Sequence, residues 1–213
     1  SGGPETVDYC LELHFGANLI SFYALPDDVS LTNVMASLNG IATAVIGEGV
    51  VAAQAAEDFW VGSLGSIDAR DGYWIKMEDS EIDLTLEDAI PTDPEIVYTL
   101  HYGANLISFP VPGAVGIADG LPDDVEGFFT GIIGEGVAAS PNPELGWVGS
   151  LSQFEGTKGY WAKVNEGFEF SYDLTNSSNR VASSSVSESP YQYVQSVQQA
   201  FYFIEGVNFD IQH

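Results

Sequence analysis

Leu13-His14-Phe15-Gly16-Ala17-Asn18-Leu19-Ile20-Ser21-Phe22 returns later in the chain as Leu100-His101-Tyr102-Gly103-Ala104-Asn105-Leu106-Ile107-Ser108-Phe109. Ile46-Gly47-Glu48-Gly49-Val50 returns at 133–137, Trp60-Val61-Gly62-Ser63-Leu64 at 147–151, and Gly72-Tyr73-Trp74 at 159–161. The offset is constant, since 101−14, 135−48, 147−60 and 161−74 all give 87. With no insertion or deletion between the four blocks, each copy reads as one structural unit and the chain as a tandem duplication. The matched residues are mostly Gly, aromatic and aliphatic, the types that build turns and cores. What is written twice is a scaffold.

The pattern around these blocks predicts short strands. Val7, Tyr9, Leu11 and Leu13 alternate with Asp8, Cys10, Glu12 and His14, the mark of a half-buried strand after a flexible lead at residues 1–6. Gly16-Ala17-Asn18 predicts a turn, and residues 19–22 a second strand. Residues 44–53 and 131–139 are apolar with Gly-Glu-Gly inside, which predicts a tight hairpin or a bulged strand. Residues 60–64 and 73–77 are further strands, the last with Tyr73, Ile75 and Met77 on one face and Trp74, Lys76 and Glu78 on the other. Pro26-Asp27-Asp28-Val29 predicts a helix start, with Leu31, Val34, Met35 and Leu38 at helical spacing and Asn39-Gly40 closing it. The same Leu-Pro-Asp-Asp-Val stands at 121–125 with an offset of 96, so the helix start is expected to have slid along the connection. Capping is then a better use than metal binding for Asp27, Asp28, Asp123 and Asp124.

The fold expected is therefore mainly β: two tandem homologous β-rich repeats, sandwich- or barrel-like, each with one short helix, plus a C-terminal extended strand. The domains are repeat 1 at 1–88, repeat 2 at 89–175, a Ser/Asn-rich linker at 176–190, and 191–213 as a strand for pairing between subunits. Residues 191–204, Tyr-Gln-Tyr-Val-Gln-Ser-Val-Gln-Gln-Ala-Phe-Tyr-Phe-Ile, carry no charge, no Gly and no Pro and favour an extended strand. A lone strand of this kind leaves a backbone edge unpaired, so it must find a sheet.

Charge narrows the partners. With 31 acidic against 5 basic residues the net charge is −26, which repels nucleic acid and anionic membranes. Such a surface suits a salty medium and collects divalent cations, Ca²⁺ among them. The acidic stretch at 78–83 could bind Ca²⁺ but lacks the glycine of an EF-hand loop, and the metal ligands stay undefined. Cys10 is the only cysteine, so no internal disulfide forms; it reads as a small apolar strand residue, with an intermolecular disulfide as the alternative. No apolar run approaches membrane-spanning length, and the Ser-Gly-Gly start without Met reads as a processed or excised piece.

Candidate chemistry is sparse. Glu48 and Glu135, flanked by Gly, could face each other as a glycosidase pair, but nothing sets their environments apart, and turn carboxylates are the better reading. His14 and His101 lie on the polar side of a strand, without a second His or Cys at ligand spacing. Trp74 and Trp161, on the face shared with Lys76 and Lys163, either stack on a sugar or a neighbouring module, or belong to a covered core.

The repeat pattern Gly-x-Asn-Leu-Ile-Ser-Phe, Trp-Val-Gly-Ser-Leu, Gly-Tyr-Trp-x-Lys, spanning 13–76 and 100–163, resembles repeat modules of large secreted or surface proteins of marine bacteria. The tail at 195–203 is similar to the first strand of a further module that follows such repeats, here truncated. The resemblance implies spacer or adhesion roles and an extracellular or cell-surface location.

The function expected is a non-catalytic extracellular structural protein that self-assembles head-to-tail into a filament or surface layer. Tyr191, Tyr193, Val197, Phe201 and Phe203 would form the partner strand. The alternative is a carbohydrate- or surface-binding adhesion module, with Trp74, Trp161, Lys76 and Lys163 as the glycan contact. The homo-oligomer is the partner expected, with no nucleic acid and no membrane insertion.

Overall fold

Apolar and polar side chains alternate through the first strand, β1 (Val7–Leu13), so that Leu11 and Leu13 are buried while Asp8, Cys10 and Glu12 face outward. The computed structural model describes residues 5–78 and 82–175. The expected linker at 176–190, the partner-strand residues Tyr191, Tyr193, Val197, Phe201 and Phe203, and Asp79, Ser80 and Glu81 of the acidic stretch lie outside the described residues.

Repeat 1 continues through β2 (Gly16–Ser21), β3 (Ala24–Leu25), α1 (Leu31–Val34), β4 (Ala42–Gly47), β5 (Val50–Ala56), β6 (Phe59–Gly62), β7 (Gly72–Met77) and β8 (Ile82–Pro91). An antiparallel five-stranded sheet has the order β2-β7-β4-β5-β6, and a second sheet the order β1-β8-β3. The core fills the space between them, with Leu11, Leu13, Leu84 and Leu86 from one sheet against Val45, Ala52, Tyr73, Ile75 and Met77 from the other.

Repeat 2 comprises β9 (Tyr98–Leu100), β10 (Gly103–Ile107), β11 (Ala114–Gly116), α2 (Ile117–Gly120), α3 (Asp123–Glu126), β12 (Phe129–Ile133), β13 (Ala138–Asn142), β14 (Gly146–Gly149), β15 (Gln153–Glu155), β16 (Tyr160–Val164) and β17 (Phe168–Phe170). Its five-stranded sheet, β10-β16-β12-β13-β14, has the same positional order as that of repeat 1. The rest differs: β9 pairs with β17 and β11 with β15, each a two-stranded ladder. Short ladders bury less, and rings fill the core instead, with Phe109, Phe154, Tyr160 and Tyr172 in mutual edge and stacked contacts.

The described residues are mainly β, with 52% of them in strands and 9% helical, which fits packed sheets and not a helical bundle. Both repeats lie in one compact unit. The boundary expected at 88/89 falls inside β8, where Ala89 pairs with Val7 and Ile90 with Leu25.

The helices differ from expectation. α1 is a single turn followed by a 3-10 turn at Ala36–Leu38, and Pro26-Asp27-Asp28 precede it in the loop. Asp28 accepts the Ser30 N–H at 2.9 Å, closing a turn before the helix. Repeat 2 has two short helices and not one: α2 falls near the position of α1 (117−31 = 86), and α3 at that of the 3-10 turn (123−36 = 87). No helix start has slid. The two Pro-Asp-Asp runs occupy different points of the fold, and Asp123 and Asp124 enter the first turn of α3 without a side-chain capping bond. Burial of Leu31, Val34 and Ile117 decided where the chain coils, over the local start signal. Among the described residues no helix is long and apolar enough to cross a membrane.

Candidate functional site

The polar residues written at equivalent points of both copies meet at the joint between the repeats. Asn18 builds the approach from the first repeat: its Oδ1 accepts the His14 N–H at 2.8 Å and its Nδ2 donates to His14 O at 2.9 Å. Asn105 does the same for His101, at 2.8 and 2.9 Å. Each asparagine is buried and ties off the turn between two strands, which fixes the histidine at the turn's mouth.

From the opposite repeat comes a glutamate at the tip of a hairpin. Gly49 and Gly136 take φ of +69° and +68°, the turn conformation that presents Glu48 between β4 and β5 and Glu135 between β12 and β13. His14 Nε2 lies 2.5 Å from Glu135 Oε1, and the Leu19 N–H donates to Glu135 Oε2 at 2.8 Å. Reciprocally, His101 Nε2 lies 2.5 Å from Glu48 Oε1 and the Leu106 N–H donates to Glu48 Oε2 at 2.7 Å. Both carboxylate oxygens of each glutamate are engaged, one by an imidazole and one by a backbone amide. These are two clasps, related as the repeats are.

Charge follows from the geometry. His14 Nδ1 lies 2.8 Å from Phe15 O, and His101 Nδ1 2.9 Å from Tyr102 O. Each ring therefore faces two acceptors, a carbonyl and a carboxylate, and only the imidazolium has two N–H groups to give them. Both histidines are held above their ordinary value, first by the backbone carbonyl and then by the glutamate; partial burial and Lys158 act against this at His14.

Backbone contacts complete the joint. Ser21 N–H donates to Thr157 O at 3.0 Å and Gly159 N–H to Leu19 O at 3.3 Å; Ser108 N–H donates to Arg70 O at 2.9 Å. Single β-bridges pair Ile20 with Lys158 and Asp71 with Ile107. The edges of β2 and β10 are thus closed by the sister repeat. Leu19 and Leu106 are buried but belong to neither repeat's core, because they pack into this joint. Gly72 and Gly159 allow the approach: a Cβ at Gly159 would stand 2.6 Å from Ile20 O, and one at Gly72 3.0 Å from Ile107 O. The Gly of each Gly-Tyr-Trp block is there for contact with the other copy.

The clasps differ in their neighbours. Beside His14 and Glu135 a cleft is lined by Glu12, Glu155 and Lys158. At the position of Lys158 the other copy has Asp71 (158−87 = 71). Burial, then the nearby Asp68, and less so Glu48 push the Asp71 carboxyl up to about 6, against the Tyr73 hydroxyl and Arg70.

Tyr73, Ile75 and Met77 are buried in the core as the alternation predicts, with Trp74 and Lys76 on the other face. Trp74 sits between Leu19 and Ile46 across the strands and is half-buried, and Trp161 sits likewise between Leu106 and Ile133. Lys76 and Lys163 are exposed. Cys10 is exposed, its sulfur 3.7 Å from the Thr85 hydroxyl, on the solvent side of β1. Among the described residues no group of three or more His, Cys, Asp or Glu is placed to hold a metal ion.

Spacing within either copy could not reveal the clasps, since their partners lie 121 and 53 residues apart. The available signal was that a His and a Glu recur in both copies inside blocks otherwise built of Gly and apolar residues. Comparison with known protein families, with curated proteins and with solved structures gave no match.

Proposed function

We propose that this is a non-catalytic extracellular structural protein, a building block that joins head-to-tail to copies of itself. The observation that carries the reading is the joint. The histidines and glutamates that recur in both repeats fasten the repeats to one another, with both oxygens of each carboxylate engaged. Groups so engaged serve rigidity, whereas a glycosidase pair needs one carboxyl free to donate a proton and the other free to attack. A rigid two-repeat block is what a filament or surface layer is assembled from.

The link between blocks is strand addition: the uncharged residues 191–204 of one chain pair with a sheet edge of the next. Residues 176–190 are Ser- and Asn-rich, and a linker of that length spans roughly 19–23 Å, enough to reach an adjacent block. A contact between unlike surfaces does not close on itself and propagates. The resemblance to repeat modules of secreted and surface proteins supports the extracellular location, as does the net charge of −26, which screening by salt makes tolerable.

Size-exclusion chromatography with light scattering and electron microscopy, on the chain with and without residues 191–213, tests this. Polymer is expected from the complete chain and monomer from the shortened one; a monomer in both cases overturns the reading. A glycan- or surface-binding module is the second reading, favoured by the part of Trp74 and Trp161 left open beside exposed lysines on the same strand faces. Binding on a glycan array that is lost in Trp74→Ala would put it first.

A further inference from the structure

The acceptor for the added strand can be narrowed by eliminating edges. β2 and β10 are closed by the sister repeat. β1 presents the carboxylate of Glu12 to solvent, the usual guard of an open edge, while Asp8 is turned to accept the Asp88 N–H at 2.8 Å. At the far end of the repeat 2 sheet, β14 follows exposed Glu144 and Leu145, but its own Trp147 and Val148 are partly covered and its neighbour β13 contains Pro141 and exposed Ser140, so the apolar row there is interrupted.

β6 is different. It is the last strand of its sheet, and among the described residues no strand pairs with its outer side. It is apolar, and it continues an apolar row across the solvent face of the sheet: Ile46 is 42% exposed, Val51 46%, Val61 53% and Phe59 58%. Ile46 stands opposite Val51, Val61 opposite Ala53 and Phe59 opposite Ala56, so the row continues diagonally from Val51 through the exposed alanines of β5 to β6. Asp58, just ahead of the strand, is turned back to accept from Asn39 Nδ2 at 2.6 Å. A contiguous exposed apolar sheet face that ends at an open edge marks an interaction surface.

We propose that β6 of repeat 1 is the acceptor edge, and that its occupant is residues 191–204 of a second copy of this chain. Charge selects the occupant: a chain at −26 repels its own copies almost everywhere, but residues 191–204 bear no charge and are rich in aromatic and β-branched residues, which favour an extended strand. Paired beside Phe59–Gly62, they extend the five-stranded sheet to six, and Val197, Phe201 and Phe203 lengthen the apolar row. Polarity follows, because repeat 1 accepts and the C-terminal end donates.

This rests on the strand-addition reading, and the test separates the two. In the full chain, Phe59→Lys with Val61→Lys places two cations on the open face while leaving the donor intact. The expected result is monomer by light scattering with an unchanged near-UV circular dichroism spectrum. Mixed into wild-type chains, this variant caps growing ends and shortens the polymer. If it polymerises as the wild type does while deletion of 191–213 gives monomer, β6 is not the acceptor and strand addition stands. If the deletion also polymerises, strand addition fails and this inference with it. Should the lysine variant not fold, Cys10→Ser chains carrying Val61→Cys, mixed with Cys10→Ser chains carrying Val197→Cys or Phe201→Cys, give intermolecular disulfides. No crosslink in either mixture overturns the assignment.

Discussion

The two repeats share a five-stranded sheet with one strand order and one clasp, yet they differ in everything around these. Repeat 1 backs its sheet with the ten-residue β8, paired along both β1 and β3, and its core is aliphatic apart from Phe22 and Tyr73. Repeat 2 backs the same sheet with three-residue strands and fills its core with Tyr98, Phe109, Phe129, Phe154, Tyr160, Phe170 and Tyr172. Two solutions thus support one preserved surface. The copies share the clasp patches, the sheet order and the far-edge Trp-Val-Gly-Ser-Leu strand, while the layer behind the sheet differs. An isologous joint demands the first of these, because each side must complement the other's copy of the same patch.

The largest way to break the comparison is through the cores. Phe154 is fully buried among the rings of Phe109, Tyr160 and Tyr172, and Ile67 is its counterpart (154−87 = 67). Phe154→Ala should cost about 3–5 kcal/mol and Ile67→Ala about 2–4, measured by urea unfolding. Because the joint couples the repeats, each variant should still unfold in one transition. Two separated transitions in the wild type would mean two independent beads.

Next in size is the close approach. Gly159→Ala puts a methyl group 2.6 Å from the Ile20 carbonyl oxygen, where backbone must move, and should cost about 2–3 kcal/mol. Gly72→Ala meets Ile107 O and the Leu106 side chain at 3.0 Å and should cost less, about 1–2 kcal/mol. The order of the two losses is the test, and equal losses would deny the asymmetry.

Removing a clasp comes third. Glu135→Ala leaves the buried Leu19 amide without its acceptor, at about 1–3 kcal/mol. Glu48→Ala should cost less, because that glutamate side chain is 35% exposed against 22% for Glu135 and water can replace it. A double-mutant cycle of Glu135→Ala with His14→Ala reads the coupling directly, and a coupling energy of zero would reduce the clasp to a surface contact.

How much of this was written in the chain differs from feature to feature. Strand alternation at 7–13 and 73–77 placed Leu11, Leu13, Tyr73, Ile75 and Met77 inside correctly, since period-2 burial is a local property. Gly-Glu-Gly gave the hairpins for the same reason. The helices depart from the local pattern because Pro-Asp-Asp is only a local start signal, while burial of Leu31 and Ile117 is decided by packing. The joint was hidden deeper. His14 meets Glu135 only once two sheets have folded and docked, and no spacing rule within a repeat encodes a partner in its twin.

The smallest effect, and the one that best separates the two clasps, is pH dependence. His14 and His101 have folded-state values above the unfolded one, so each adds stability at acid pH that fades as pH rises through its folded value. Asp71, raised to about 6, works in the same direction: the unfolded chain gives up that proton first, so stability falls as pH climbs from the ordinary carboxylate range through 6. Asp71 predicts a melting midpoint that falls from about pH 4 to about pH 6, and the histidines one that goes on falling above about pH 6.5, read in roughly 0.5 M salt, where a Debye length near 4 Å suppresses general repulsion. The clasps should contribute unequally. Asp71→Asn removes the group that must stay protonated beside Asp68 and Glu48, and should flatten the profile and raise the midpoint at pH 8. Lys158→Ala, at the equivalent place, removes a cation that opposes protonation of His14, and should steepen the profile slightly. A midpoint that rises with pH above about pH 6.5 would mean that neither imidazole holds the second proton its two acceptors require.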